Sequence, residues 1–208
     1  MSEPGFALFE TSVGRCGVVW RGAKLAGVHL PGSGDAPASL RRRFPDAVEA
    51  APPPAVAAAI EAITALLEGE PRGLADLPLD TSAVPDFERR VYEVARTIPP
   101  GAVLTYGEVA ARMGEPGAAQ AVGRALGRNP FPIVVPCHRV VAADGKLGGF
   151  SAPGGRSTKL KLLAIERARR RSDEPDLFDA DARLTRKDSP RPSGDGYKRG
   201  HKPPGGVR

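Results

Sequence analysis

Apolar positions change their period along this chain, and the changes divide it. Phe6-Ala7-Leu8-Phe9, Gly17-Val18-Val19-Trp20 and Leu25-Ala26-Gly27-Val28-His29-Leu30 are short apolar runs that predict strands, with Arg21-Gly22 turning the chain between the last two. Pro31 to Pro37 predicts a loop. Over 54–68 the period lengthens. Val56, Ile60, Ile63 and Leu67 share one helical face, and Gly69 suits the position after the helix. A Pro-rich stretch over 70–85 predicts a connector. The first 80 residues therefore form a small α/β unit whose residues show no chemistry of their own. Cys16 beside Gly17-Val18-Val19 is expected to pack as a small apolar side chain.

A second unit begins near Pro85. Phe87, Val91, Val94, Ala95 and Ile98 mark a helix stopped by Pro99-Pro100-Gly101. Thr105-Tyr106-Gly107-Glu108 has capping-box spacing and opens a helix through Met113. Gly114-Glu115-Pro116-Gly117 is a turn, and Ala118 to Arg128 is a third helix with Ala119, Val122 and Leu126 as its apolar line. Two short helices across a four-residue turn form a helix-turn-helix candidate. Ala118, Ala121, Gly123, Ala125 and Gly127 leave the third helix with little side chain on its outer surface. Glycine inside a helix costs ~1 kcal/mol relative to alanine, so close approach of another surface must offset it. That surface is either a neighbouring helix or a groove of DNA. Val140 to Ala143 is extended, Asp144-Gly145 turns, and Lys146 to Phe150 returns. A last helix is predicted from Ser157 to about Arg170, with Leu160, Leu163, Ala164 and Ala168 inward. Residues 171–208 have no periodicity and read as a disordered, mildly basic tail.

Charge sharpens this division. Residues 1–85 hold 7 basic and 10 acidic residues, whereas residues 86–168 hold 12 and 7. The second region is the one suited to a polyanion. No apolar stretch approaches the ~18 residues of a membrane span, and the first ten residues do not resemble a secretory signal. Two distant cysteines give no disulfide framework, which favours a reducing cytoplasm, and three histidines at unrelated spacings give no metal site.

Candidate chemistry concentrates in Pro136-Cys137-His138-Arg139-Val140, which follows the apolar run Phe131-Pro132-Ile133-Val134-Val135. A thiol attacks as thiolate, and an imidazole or a positive charge nearby lowers its pKa. His138 adjoins Cys137 and could reach its sulfur through a water. The group that orients His138 must come from elsewhere, and Glu166, after Leu162-Leu163-Ala164-Ile165, is the candidate. The alternative for Glu166 is a solvated position paired with Arg170.

The segment from Tyr106 to Glu166 resembles the O6-alkylguanine-DNA alkyltransferases, the methylated-DNA–protein-cysteine methyltransferases. The resemblance rests on Pro136-Cys137-His138-Arg139-Val140, supported by Thr105-Tyr106-Gly107-Glu108-Val109-Ala110, Ala121-Val122-Gly123, Asn129-Pro130, Gly148-Gly149-Phe150-Ser151 and the run from Lys159 to Glu166. It is strong over residues 85–168 and looser over the first 80. It implies an α/β ribonuclease-like domain over 1–80 and a mainly α, winged-helix-like domain with a helix-turn-helix over 81–170, the DNA-binding and alkyl-acceptor part. The implied partner is double-stranded DNA containing O6-alkylguanine, met by a cytoplasmic monomer without cofactor or metal. The implied reaction is a single-turnover transfer of the alkyl group to Cys137 after the base is flipped out of the duplex. O4-alkylthymine stands open as a second substrate. His138, polarised by Glu166, takes the thiol proton, Tyr106 donates to the leaving guanine, and Asn129 braces the turn before Cys137. Ala119, Gln120, Gly123, Arg124, Arg128 and Arg139 are the implied DNA contacts. Val135, Pro136, Gly149, Phe150 and Ser151 are the implied pocket lining.

Two departures from the family pattern stand out. Gln120 occupies the position where the family usually has an arginine that fills the gap left by the flipped base, and Arg124 lies one turn on. A short insertion falls at Ala152-Pro153. Three other functions compete. A lesion reader without transfer chemistry would lack Cys137. A cysteine hydrolase or thiol redox enzyme would need a different His placement or a second nearby cysteine. A transcription regulator would leave Cys137, His138 and Glu166 without a role.

Overall fold

A computed structural model describes residues 3–32, 36–143, 147, 150 and 152–168. The predicted tail over 171–208 and the Asp144-Gly145 turn lie outside the described residues. The three predicted strands form as β1 (Gly5–Phe9), β2 (Cys16–Arg21) and β3 (Lys24–His29), a meander with antiparallel pairing throughout. A two-residue strand, β4 (Val48–Glu49), adds parallel to β1 and gives the order β3-β2-β1-β4. Phe6, Val19 and Ala26 point to one face of this sheet, and Cys16, Val18, Trp20, Leu25 and Val28 are buried in a separate, larger cluster. That division is the period-two alternation of a sheet covered on both sides.

The predicted loop ends two residues early, in α1 (Ala36–Arg43), a helix the sequence pattern does not predict. Its sequence offers a single large apolar residue, Leu40, too little for a visible period. Leu40 and the following Phe44 cover the smaller face of the sheet. A Cβ on Gly27 would come within 2.5 Å of the Phe44 ring, so the strand must be bare there. The other face receives α2 (Pro54–Leu67) through Val56, Ile63 and Leu67, as the spacing predicts, with Ala59 and Leu66 buried beside them and the expected Ile60 half-buried.

The predicted connector over 70–85 is also more than a spacer. Pro78 O accepts from Leu25 N at 2.9 Å, and Asp80 N donates to Leu25 O at 2.7 Å, so this segment runs along the free edge of β3. Arg96 donates to the carbonyls of Ala75 and Leu77 and holds it there. Edge backbone groups find partners in this way rather than being left open.

The second region packs α3 (Asp86–Arg96), α4 (Tyr106–Arg112) and α5 (Ala119–Gly127) around Val91, Ala95, Val109, Ala110, Val122 and Leu126. The capping box at the start of α4 is present. Glu108 N donates to Thr105 Oγ1 at 3.1 Å, and Thr105 N donates to Glu108 Oε2 at 2.6 Å. The same buried cluster continues into the larger face of the first sheet, and Val28 N donates to Pro130 O at 2.9 Å across the boundary.

Two short strands, β5 (Leu104–Thr105) and β6 (Val140–Val141), pair in parallel. This small ladder has a large consequence for the site. It places the start of α4 beside the segment that follows Cys137.

The last helix, α6 (Gly155–Ile165), is shorter than expected. Arg167 N donates to Ala164 O at 3.0 Å and Ala168 N to Leu163 O at 2.9 Å, with Arg167 at φ 52°. These bonds are a Schellman stop with an arginine in the position glycine usually takes. Of the expected inward residues, Leu163 and Ala168 are buried and Leu160 packs against them. Lys159, Leu162 and Leu163 are buried, whereas Ala164 is exposed. The buried face is wider than expected and takes in a lysine, Lys159, together with Leu162.

Candidate active site

Cys137, His138 and Arg139 form one turn of 3-10 helix, and all three are buried. The segment leading into it is a tight turn. Val135 N donates to Phe131 O at 2.8 Å, and Ile133, a buried β-branched residue, is held at φ 74°. Such a conformation is costly for isoleucine and persists only when its surroundings impose it. Asn129 supplies much of that constraint. Its Nδ2 donates to Val135 O at 2.9 Å and its Oδ1 accepts from Phe131 N at 2.9 Å. One buried amide thereby ties the end of α5 to the approach to Cys137.

His138 has no exposed surface, and its Nε2 lies 2.9 Å from Glu166 Oε1. Glu166 is not solvated: its side chain is 3% exposed, while Arg170 lies outside the described residues. Arg139 grips the same carboxylate in two places, Nε to Oε2 at 2.8 Å and Nη2 to Oε1 at 2.7 Å, and Nη1 donates to Ile98 O at 2.6 Å. The expectation that Arg139 faces DNA is thus corrected: the side chain is 5% exposed and committed to Glu166. A lone buried carboxylate would protonate, and the bidentate guanidinium prevents this.

These contacts fix the protonation states. Burial pushes the Glu166 carboxyl up, but hydrogen bonds and charge from His138 and Arg139 outweigh it and leave it at about 2. Burial pushes His138 down, more than Glu166 raises it. His138 is therefore neutral beside a carboxylate that can only accept. Its proton sits on Nε2 and is donated to Glu166, so the Nδ1 lone pair is free to act as base. Nδ1 is buried and has no hydrogen-bond partner among the described residues.

Burial raises the Cys137 pKa, and the opposing effects of the Asn129 hydrogen bond, the Lys159 charge and nearby backbone N–H groups do not reverse it. Cys137 rests as a thiol, and its proton must leave before it can attack. Cys16 is also raised by burial; it packs in the core below β2, 3.6 Å from Thr11 Oγ1, as expected of a structural cysteine.

Cys137 lies at a cavity of about 740 Å³ that Tyr106, Phe150 and the exposed side of α5 also line. Ala119, Gln120, Gly123 and Arg124 are on that wall, which unites four of the six expected DNA contacts with the cysteine. Arg128 lies beyond it and pairs with Glu88 at 3.1 Å. Val135 and Pro136 are buried behind the cavity instead of lining it, because the turn aims the Val135 carbonyl at Asn129. Gly149 and Ser151 lie outside the described residues.

Among the described residues nothing packs closely enough on the glycines of α5 to require them. A Cβ on Gly127 would meet nothing within 4 Å, and one on Gly123 would make ordinary contact with the Tyr106 ring at 3.8 Å. No neighbouring helix among the described residues demands their bareness. Burial, with Cys137 adding, raises the Tyr106 pKa, so the phenol keeps its proton and can donate it in a hydrogen bond.

Lys159 completes the site and has no signal in the sequence pattern. It is fully buried, donates to Val140 O at 2.6 Å and stands 5.9 Å from the Tyr106 ring centroid. Burial lowers it to about 8, with Cys137 acting in the opposite direction. A cation is thus held under both the thiol and the phenol, as the cysteine needs if it is to ionise.

Residues 86–168 match the family model described as "6-O-methylguanine DNA methyltransferase, DNA binding domain". A methylated-DNA–protein-cysteine methyltransferase of Mycolicibacterium paratuberculosis is 49% identical over 115 residues, which span 55% of this chain and 67% of that protein. The protein of the same name from Mycobacterium bovis is 44% identical over 127 residues, 61% of this chain and 74% of its own length. Among solved structures, the O6-methylguanine methyltransferase of Mycobacterium tuberculosis superposes with a TM-score of 0.65 at 33% identity, covering 85% of this chain and 99% of that one. The same organism's OGT in complex with DNA gives 0.63 at 32% identity, over 78% and 92%.

Proposed function

Because this chain belongs to the methylated-DNA–protein-cysteine methyltransferase family, we infer that it repairs O6-alkylguanine in DNA by moving the alkyl group onto Cys137. The observation that carries this reading is the placement of a buried cysteine at a cavity whose far wall is the bare face of α5. A nucleophile in such a place cannot reach a base inside a duplex. The base must be turned out into the cavity while the helix lies in the groove it leaves. The pair α4 and α5 then acts as a helix-turn-helix within an alkyl-acceptor domain over 81–170. The sheet over 1–80 acts as a ribonuclease-like support.

The chemistry follows from the protonation states. The thiol proton of Cys137 passes to His138 Nδ1 through a water, and the imidazolium so formed is stabilised by the Glu166 carboxylate that already accepts from Nε2. The sulfur anion, formed above the Lys159 ammonium, attacks the alkyl carbon in line with its bond to O6. A carbon–sulfur bond forms as the carbon–oxygen bond breaks, and the bonding pair leaves with guanine. Tyr106 donates a hydrogen bond to the departing base. Guanine gains one proton overall, the one the thiol gave up. The thioether has no leaving group for hydrolysis, so each molecule acts once. No step draws on a metal or cofactor.

Gln120 sets this chain apart from the usual pattern. Its side chain lines the cavity mouth one turn before Arg124. It can hydrogen-bond the orphaned cytosine but carries no charge and stacks over less area, which weakens binding or slows flipping.

Titration tests the reading. With increasing duplex carrying O6-methylguanine, repaired guanine should plateau at one equivalent per protein and be absent with Cys137→Ala. Repair continuing beyond one equivalent, or lesion binding with no repair, overturns the reading.

A further inference from the structure

Cys137 borders a second cavity, which meets α5 only at its C-terminal end, at Gly127 and the following Arg128. A channel of about 280 Å³ starts at Cys137 and Asn129 and passes between His29 and Pro153 to Arg43. It continues as a cleft of about 420 Å³ against α1, sharing His29, Arg43 and Pro153 and adding Arg42 and Ser39. No carboxylate lines either part among the described residues. Neither Arg42 nor Arg43 has an acidic partner there, whereas Arg41, on the same turn, reaches Glu49 at 3.8 Å and lies over the Phe6 ring. Arg43 also acts on its neighbour. The His29 pKa is lowered by burial first and by Arg43 second, so the imidazole stays neutral beside the guanidinium.

Arginines in the last turn of α1 favour the helix end electrostatically, but that effect requires no groove. Here Arg42 and Arg43, the latter over the Phe44 ring but neither paired with a carboxylate among the described residues, face a trench that leads to the nucleophile and that Arg128, paired with Glu88, also lines. The first 85 residues are acidic in total, so net charge gives no hint of this patch. We propose that the groove seats backbone phosphates of the DNA strand that carries the everted nucleotide, so that α1 of the first region contributes to DNA binding together with α5. The inference rests on the repair reading above.

Salt dependence separates a phosphate contact from general charge. Each phosphate neutralised contributes about 0.9 to the slope of log K against log salt. The full-length chain would be titrated against a labelled undamaged duplex across a salt series. Arg42→Gln and Arg43→Gln should each lower the magnitude of that slope by about 0.9, and the double substitution by about twice that. Arg41→Gln removes the same charge outside the groove and should leave the slope nearly unchanged. Arg42 is exposed, so its substitution does not endanger folding. Equal effects from all three arginines, or none from Arg42 and Arg43 while the unaltered chain binds DNA, overturn the inference alone. An unaltered chain that binds no DNA overturns the repair reading with it.

Discussion

Glu166→Gln is the most revealing substitution, because it keeps the shape of the buried triad and removes only its negative charge. In the folded chain the carboxyl sits at about 2 against an ordinary value of 4.5. At 1.36 kcal/mol per pKa unit, the ionised form stabilises the fold by about 3 kcal/mol at neutral pH. The side chain is 3% exposed, so solvent screening removes little of this. The sign is that of a depressed acid. The stabilisation is fully present above pH 4.5 and is lost as pH falls toward 2. Losing the anion also leaves the Arg139 guanidinium buried without a counter-charge, a defect that typically costs about 3–5 kcal/mol. Urea unfolding of the two proteins across pH is the assay. The gap between them should be about 3 kcal/mol or more at pH 7 and should shrink between pH 4.5 and 2. Single-turnover transfer should slow by roughly 100-fold, as expected when a general base loses the group that stabilises its protonated form. A gap below about 1 kcal/mol at pH 7, or one that does not change with pH, refutes the electrostatic reasoning.

Three further outcomes are expected. Gln120→Arg should tighten DNA binding and speed the DNA-dependent transfer; rapid-quench kinetics and binding titrations that show neither would remove Gln120 from the interface. Asn129→Ala leaves the Val135 carbonyl and the Phe131 N–H unpaired in the interior and should cost about 2–6 kcal/mol in denaturant unfolding, from about 1–3 kcal/mol per orphaned group. Lys159→Met removes a cation that burial holds at about 8 instead of 10.5, so the folded state at neutral pH no longer bears that penalty. Its thermal stability at pH 7 should be maintained or raised, while transfer slows about tenfold for each unit by which the Cys137 pKa rises; unchanged transfer across a pH series would contradict a role for the ammonium.

Cys137 and His138 were legible in the sequence because a reactive pair adjacent in sequence stays adjacent in space. Glu166 was legible because it follows an apolar run on a helix that must pack. Arg139 was not, since a basic residue beside a DNA-repair thiol reads naturally as a phosphate contact. Only the fold turns it inward onto a carboxylate 27 positions away. Lys159 was hidden for a related reason: nothing local distinguishes a lysine that ends on a carbonyl in the core from one that ends in water. The strands and α2 carried their periods openly, whereas α1, with one large apolar residue, carried none. The resting protonation of Cys137 depends on desolvation, which no spacing encodes.

Mass spectrometry of the intact protein, followed by peptide mapping, examines the central claim at the atom concerned. After incubation with duplex DNA containing O6-methylguanine under reducing conditions, the protein should carry one additional methyl group, located on the peptide containing Cys137. A methyl found on Cys16, or an unmodified protein alongside consumed lesion, would contradict it.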